Sequence, residues 1–186
     1  MKKNHLIIFA AFSILIGFYA FPSFFLLPAM SSEPDTFSAS VTAKHPEKAM
    51  IHLYFSDKDN SFLIAEKKLL ERSDDPAQMG KLIIESLIKG PKEKLMRTIS
   101  SDANLRALFV TKDKTAYVDL TQAAREKHPG GCKSEMITIY SIVNSLVLNI
   151  TEIDTVKILI DGRESMTLAG HIDLRFPLKA DMLLVR

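Results

Sequence analysis

The sequence is poorest in cysteine, with Cys132 the only one in 186 residues. A single thiol excludes an internal disulfide and any cysteine-built zinc site. Cys132 also lies far from the N-terminal apolar stretch, so a lipid-modified cysteine following a signal peptide is excluded. A charge excess is missing as well. Once Lys2 and Lys3 are set aside with the leader, the acidic and basic residues of the remainder cancel. Nucleic acid is therefore not an expected partner, because phosphate binding rests on clustered positive charge. No polybasic patch addresses lipid head groups either. The H-E-x-x-H, G-x-S-x-G and P-loop signatures are absent, and no cofactor or metal is expected.

What the chain does have is an apolar leader. Leu6 to Leu27 carries no charge, and at about 1.5 Å per residue it spans a hydrocarbon layer of roughly 30 Å as a helix. Lys2 and Lys3 precede it, and Glu33 and Asp35 follow. Positive flanks stay in the cytoplasm, so residues 1–5 read as a cytoplasmic tip, 6–27 as a single transmembrane anchor, and the rest as extracytoplasmic. A cleaved signal peptide competes with the retained anchor. Pro22 would end the apolar helix early, and Ala29 with Ser31 offers a small-x-small pattern; the body would then be secreted. Residues 28–48, rich in Ser, Thr, Ala and Pro, read as a flexible linker. The remainder, 49–186, has the length of one domain.

Within that domain, Met50 to Phe55 alternates with the period of a half-buried strand, and Phe62 to Leu70 reads as its hairpin partner. Asp75, Pro76 and Gln78 announce a helix start with a capping box, and Gly90 with Pro91 stops that helix. Leu105 to Thr111 and Thr115 to Leu120 flank the turn residues Lys112, Asp113 and Lys114, the mark of a second hairpin. From Met136 to Ile150 the apolar residues fall in a helical stripe, and no charged residue occurs between Met136 and Thr151. Val156 to Ile160 reads as a strand, Asp161 and Gly162 as a tight turn, and Leu168 to Phe176 as a last, irregular strand. The expectation is an α+β fold: a mostly antiparallel sheet with two helices packed on it, in ββα-ββα-ββ order, after one N-terminal transmembrane helix.

Six short pieces, in order, carry a resemblance: LYF at Leu53 to Phe55, LIKGP at Leu87 to Pro91, AYVDL at Ala116 to Leu120, Gly130 with Gly131, YSIVNSL at Tyr140 to Leu146, and GHIDL at Gly170 to Leu174. Together they resemble the GerMN domain of GerM-type sporulation and germination proteins and of LpqB-type envelope lipoproteins, over about Met50 to Phe176. The resemblance implies an exported α/β domain without an established catalytic activity, related to ring-building motifs that assemble side by side. It marks Asn144, Gly170, His171 and Asp173 as signature positions. This chain departs from such proteins in carrying one copy of the domain and no lipid-attachment cysteine.

His171 and Asp173 lie two apart, so an extended chain would point both to one side, where they could share a proton or a metal. The competing reading is structural, with both side chains bonded to nearby loop amides. Asp119 reads as a strand-end cap. Ser134, Thr138, Ser141 and Ser145 form a stripe of small hydroxyls on the second long helix. That stripe suits contact with a neighbouring protomer or partner, or else packing beside the first helix of the same domain, in which case Asn144 is a buried amide serving backbone groups. Cys132, before a helix N-terminus, reads as an incidental thiol, with a redox or intermolecular disulfide role as the alternative in an oxidising compartment, and the glycines before it read as loop residues. The sequence points to a non-catalytic envelope module acting as a homo-oligomer or by contact with an envelope protein or the cell wall. The alternative is a wall-directed hydrolase using His171 and Asp173.

Overall fold

The computed structural model describes residues 47–92 and 94–186. The anchor at 6–27 and nearly all of the linker lie outside the described residues, and among those residues no helix is long and apolar enough to cross a membrane.

Strand β1 (Lys48–Ser56) buries Ile51, Leu53 and Phe55 on one face and pairs antiparallel with β2 (Leu63–Glu71). Their turn is closed by Asp57, whose Oδ1 accepts from Ser61 N at 2.6 Å and Phe62 N at 3.2 Å. Helix α1 (Pro76–Lys89) begins where Asp75 accepts from Ala77 N at 2.9 Å. The expected capping box does not close through Gln78, because the Asp75 amide donates to Ser73 Oγ at 3.2 Å. At the other end Gly90 adopts φ +87°, and the Arg97 guanidinium binds the carbonyls of Ile88 and Lys89. Cation and left-handed glycine together dispose of the last carbonyls of the helix.

Strands β3 (Leu105–Val110) and β4 (Thr115–Leu120) form the second hairpin. The chain then makes a short helix, α2 (Ala123–Glu126), and the long helix α3 (Cys132–Val147), before β5 (Thr155–Ile160) and the two-residue β6 (Arg163–Glu164). Asp161 at φ 51° and Gly162 at φ 73° occupy the turn between β5 and β6, the left-handed pair a two-residue hairpin favours.

Two expectations are corrected. There is no single sheet: β1 and β2 stand as a two-stranded sheet, and β3-β4-β5-β6 form a second. In the second sheet β4 and β5 run parallel, joined by the crossover through α3, so that sheet is mixed. Residues 168–176, expected as a strand, are bends and irregular backbone, because the Glu135 side chain takes the amides of Leu168, Ala169 and His171. One apolar core joins both sheets and both long helices, with Leu53, Phe55, Ile83, Leu87, Val118, Ile139, Ile142, Leu146 and Val156 each fully buried.

Candidate functional site

The polar residues of α3, with Asn149 just past its end, divide into two groups with different tasks. Along one face they serve strand β1, whose outward backbone groups lack a third strand. Asn149 Oδ1 accepts from His52 N at 2.9 Å, and its Nδ2 donates to His52 O at 2.8 Å. Next along the strand, Ser145 Oγ accepts from Tyr54 N at 3.0 Å and Ser141 Oγ donates to Tyr54 O at 2.6 Å. Met96 completes the edge by exchanging two backbone bonds with Ser56, at 3.2 and 2.8 Å. Four residues of helix rise about 6.0 Å and two of strand about 6.6 Å, so Ser145 and Asn149, four apart, reach Tyr54 and His52, two apart, while Ser141, a turn earlier, takes the other backbone group of Tyr54. Thr138 continues the seam by donating to Thr98 O at 2.7 Å.

The hydroxyl stripe, open in the sequence to a partner or to the first helix of the same domain, lines through Thr138, Ser141 and Ser145 the seam with β1 and the 96–98 segment. Thr138 is 5% exposed, and Ser141 and Ser145 are fully buried. Ser134, half-buried, is the one member reached by solvent. Asn144 is also fully buried, clamping Asp181 through Oδ1 from its N–H and Nδ2 to its C=O, both at 2.9 Å.

The second group centres on Glu135, one turn into α3, with its side chain fully buried. Oε1 accepts from Leu168 N at 2.9 Å and Ala169 N at 2.8 Å. Oε2 accepts from His171 N at 2.8 Å and lies 3.0 Å from His171 Nδ1. Burial pushes this carboxyl up, but the amides of Ala169 and His171, with the imidazole, outweigh it and hold the group below the usual carboxylate range. A loop with three of its first four amides aimed at one carboxylate cannot also make a strand ladder, which is why the alternating pattern at 168–176 misleads. Gly170 sits inside this loop at φ +107°.

His171 and Asp173 consequently serve different partners. Asp173 accepts from Arg175 N at 2.9 Å, Nε at 3.0 Å and Nη2 at 2.9 Å, and the Arg175 guanidinium holds it down to about 2. A metal site is not assembled around them: among the described residues no group of three or more His, Cys, Asp or Glu is placed to hold an ion. Asp119 accepts from Gly162 N at 2.7 Å and fastens the β5–β6 turn. Cys132 is exposed and free at the start of α3.

A histidine passed over in the sequence, His128, is also structural. Its Nδ1 accepts from Gly130 N at 2.9 Å, and Nε2 lies 3.1 Å from Thr138 Oγ1, whose own proton goes to Thr98 O. These partners assign the Nε2–H tautomer, and burial pushes the pKa down. The groove beside it, lined in part by Arg97, Ser100, Lys127 and Ser134, measures about 250 Å³, short of the roughly 300–1,000 Å³ of small-molecule sites. No signal within the sequence singled out Glu135, Asn149 or His128, although Glu135 is the last charge before the uncharged run of α3.

The arrangement defines a small α+β domain whose buried polar groups hold its own loops and strand edge in place. The chain belongs to the Germane family, whose description is sporulation and spore germination and whose model matches residues 52–165. GHIDL lies beyond that match. Among solved structures, a candidate lipoprotein from Clostridium perfringens is similar at 23% identity and a TM-score of 0.52, over 71% of this chain and 87% of that one. The first GerMN domain of the sporulation protein GerM from Bacillus subtilis is similar at 22% identity and a TM-score of 0.56, over 72% and 96%. Against the tandem GerMN domains of the same protein the identity is 22% and the TM-score 0.56, over 73% of this chain and 46% of that chain. These likenesses establish the GerMN fold. No curated protein matches the chain.

Proposed function

We propose that the protein is a non-catalytic module of the cell envelope, held to the membrane by residues 6–27, whose extracytoplasmic GerMN domain works by binding another envelope protein or a further copy of itself in a sporulation or germination setting. Membership of the Germane family carries this reading, and the uncharged leader behind two lysines supplies the location. The fate of the catalytic-looking side chains supports it: Glu135, Asp173, Asn144 and the stripe hydroxyls of Thr138, Ser141 and Ser145 are bonded within the domain, and His171 leans on Glu135. A hydrolase would need an acid–base pair held within reach of one bond, and His171 and Asp173 are committed elsewhere. The test is crosslinking of the full-length protein in intact membranes, followed by isolation of the crosslinked species. Discrete species larger than the monomer are expected. Recovery of monomer alone at native abundance, with wall hydrolysis lost in the His171→Ala/Asp173→Ala variant, would reverse the assignment.

A further inference from the structure

We infer that the outer edge of β2 is a docking strand for an extended, acidic segment of a partner protein. The inference rests on the proposed partner binding and places the contact. Register decides which groups are free. Ile51 stands opposite Lys68, Leu53 opposite Glu66 and Phe55 opposite Ile64, while His52, Tyr54 and Ser56 turn their backbone groups to α3 and Met96. Antiparallel pairing alternates, so the backbone groups of Ala65, Lys67 and Leu69 point away from β1. β2 has β1 as its one neighbour in the sheet, and among the described residues no backbone bond from another element reaches these three.

One step along, the same edge is already in use. Arg186 N donates to Leu63 O at 3.0 Å, and Val185 bridges Leu63 in parallel. The chain itself thereby demonstrates strand addition on β2, and the free positions continue from where that bridge stops. Beside them runs a groove whose lining comprises Ile64, Ala65 and Leu95 with Glu66, Lys67, Lys92 and Lys94. Its apolar residues suit alternate side chains of an added strand. Its three ammonium groups are exposed, whereas Glu66 is turned in at 8% exposure and accepts from Lys92 N at 3.0 Å. Lys68 alongside is pushed down chiefly by burial and by Lys92, with Glu66 opposing and Lys89 adding to the shift.

Charge decides between occupants. A second copy adding antiparallel through β2 would set Lys67 among lysines of its own kind, and lysine on an edge is a recognised guard against self-pairing. An anionic polymer such as polyphosphate satisfies the N–H groups but leaves the carbonyls of Ala65, Lys67 and Leu69 without donors. An extended peptide with carboxylates at alternate positions satisfies both, and its charges meet the three lysines.

The full-length protein, isotope-labelled, is titrated with a synthetic peptide of alternating valine and glutamate, with the valine–lysine counterpart and with inorganic polyphosphate. The acidic peptide alone is expected to bind, slowing amide exchange at Ala65, Lys67 and Leu69. The surface variant Lys67→Glu/Lys92→Glu is expected to bind it about tenfold more weakly, or about 1.4 kcal/mol. Polyphosphate binding as tightly as the peptide, binding without protection of those amides, or protection that rises with protein concentration alone would each overturn the inference. If the peptide fails to bind while the protein still forms its crosslinked species in membranes, the edge assignment falls and partner binding stands.

Discussion

Exchanging Glu135 for glutamine changes one atom and one charge, and the geometry around it sets the cost. Two donors converge on each carboxylate oxygen: Leu168 N and Ala169 N on Oε1, His171 N and Nδ1 on Oε2. A glutamine amide keeps one oxygen and puts an NH₂ in place of the other. Whichever way it is turned, two donors then face a donor. Hydrogen bonds to a charged group contribute about 1.5–3 kcal/mol each, so the loss is about 3–6 kcal/mol, reduced by relief from burying a charge. A net cost of about 2–4 kcal/mol is expected, large against a total stability of about 5–15 kcal/mol. Denaturant titration followed by far-ultraviolet circular dichroism is the assay, since the chain has no tryptophan. The pH dependence supplies a second readout. The folded pKa of Glu135 lies below its ordinary value, so its contribution is present above about pH 4.3 and lost as pH falls through the folded value. Glu135→Gln should flatten that acid limb and speed amide exchange at 168–171. A cost under about 1 kcal/mol with an unchanged acid limb would refute the assigned role.

Other perturbations probe the remaining seams. Ser145→Ala strips the buried Tyr54 amide of its acceptor and should cost about 1–3 kcal/mol in the same titration. Gly80→Ala would put a Cβ 2.9 Å from Leu108 Cδ2, a side chain only 4% exposed; the cost of overpacking, about 1–3 kcal/mol, should exceed the roughly 1 kcal/mol gained in helix propensity. That cost should shrink when Leu108→Ala is present, a coupling a double-mutant cycle detects. His128 has a folded pKa below its ordinary value, so its contribution is full above about pH 6.5 and declines as pH falls from there toward the folded value. His128→Gln should remove that part of the decline in pH-dependent unfolding.

The hairpins and α1 were legible because their cues are local: a period of two around turn residues, and Asp75, Gly90 and Pro91 at the helix ends. The parallel pair was legible only in hindsight. From Thr115 to Leu120 the burial is nearly continuous, and from Val156 to Ile158 all three residues are buried, the mark of strands covered on both faces rather than of a hairpin arm facing water. Residues 168–176 could not be read this way at all. Their alternation is genuine, but the carboxylate that takes the amides lies 33–36 positions earlier, and a two-residue spacing places His171 and Asp173 on one side only if the backbone is extended.

The hydroxyl stripe left two surfaces open, a partner's or the first helix of the same domain, and the surface that Ser141 and Ser145 meet is strand β1, for a reason that bears on function. Small hydroxyls let two surfaces approach, but composition does not say whether the second surface belongs to the same chain. Here Ser141 and Ser145, one helix turn apart, take both outward backbone groups of Tyr54, and Asn149, just past the helix, takes those of His52, so the three stand in for a missing strand and close that edge. The hairpin is therefore asymmetric: β1 is sealed by side chains of its own domain, while β2 is occupied only at Leu63 by the chain's last residues among those described. A two-stranded sheet with both edges open would pair indiscriminately, and one with both closed would offer no backbone to a partner. Sealing one edge and guarding the other with lysine leaves a single direction of growth, selective for the charge of whatever adds to it.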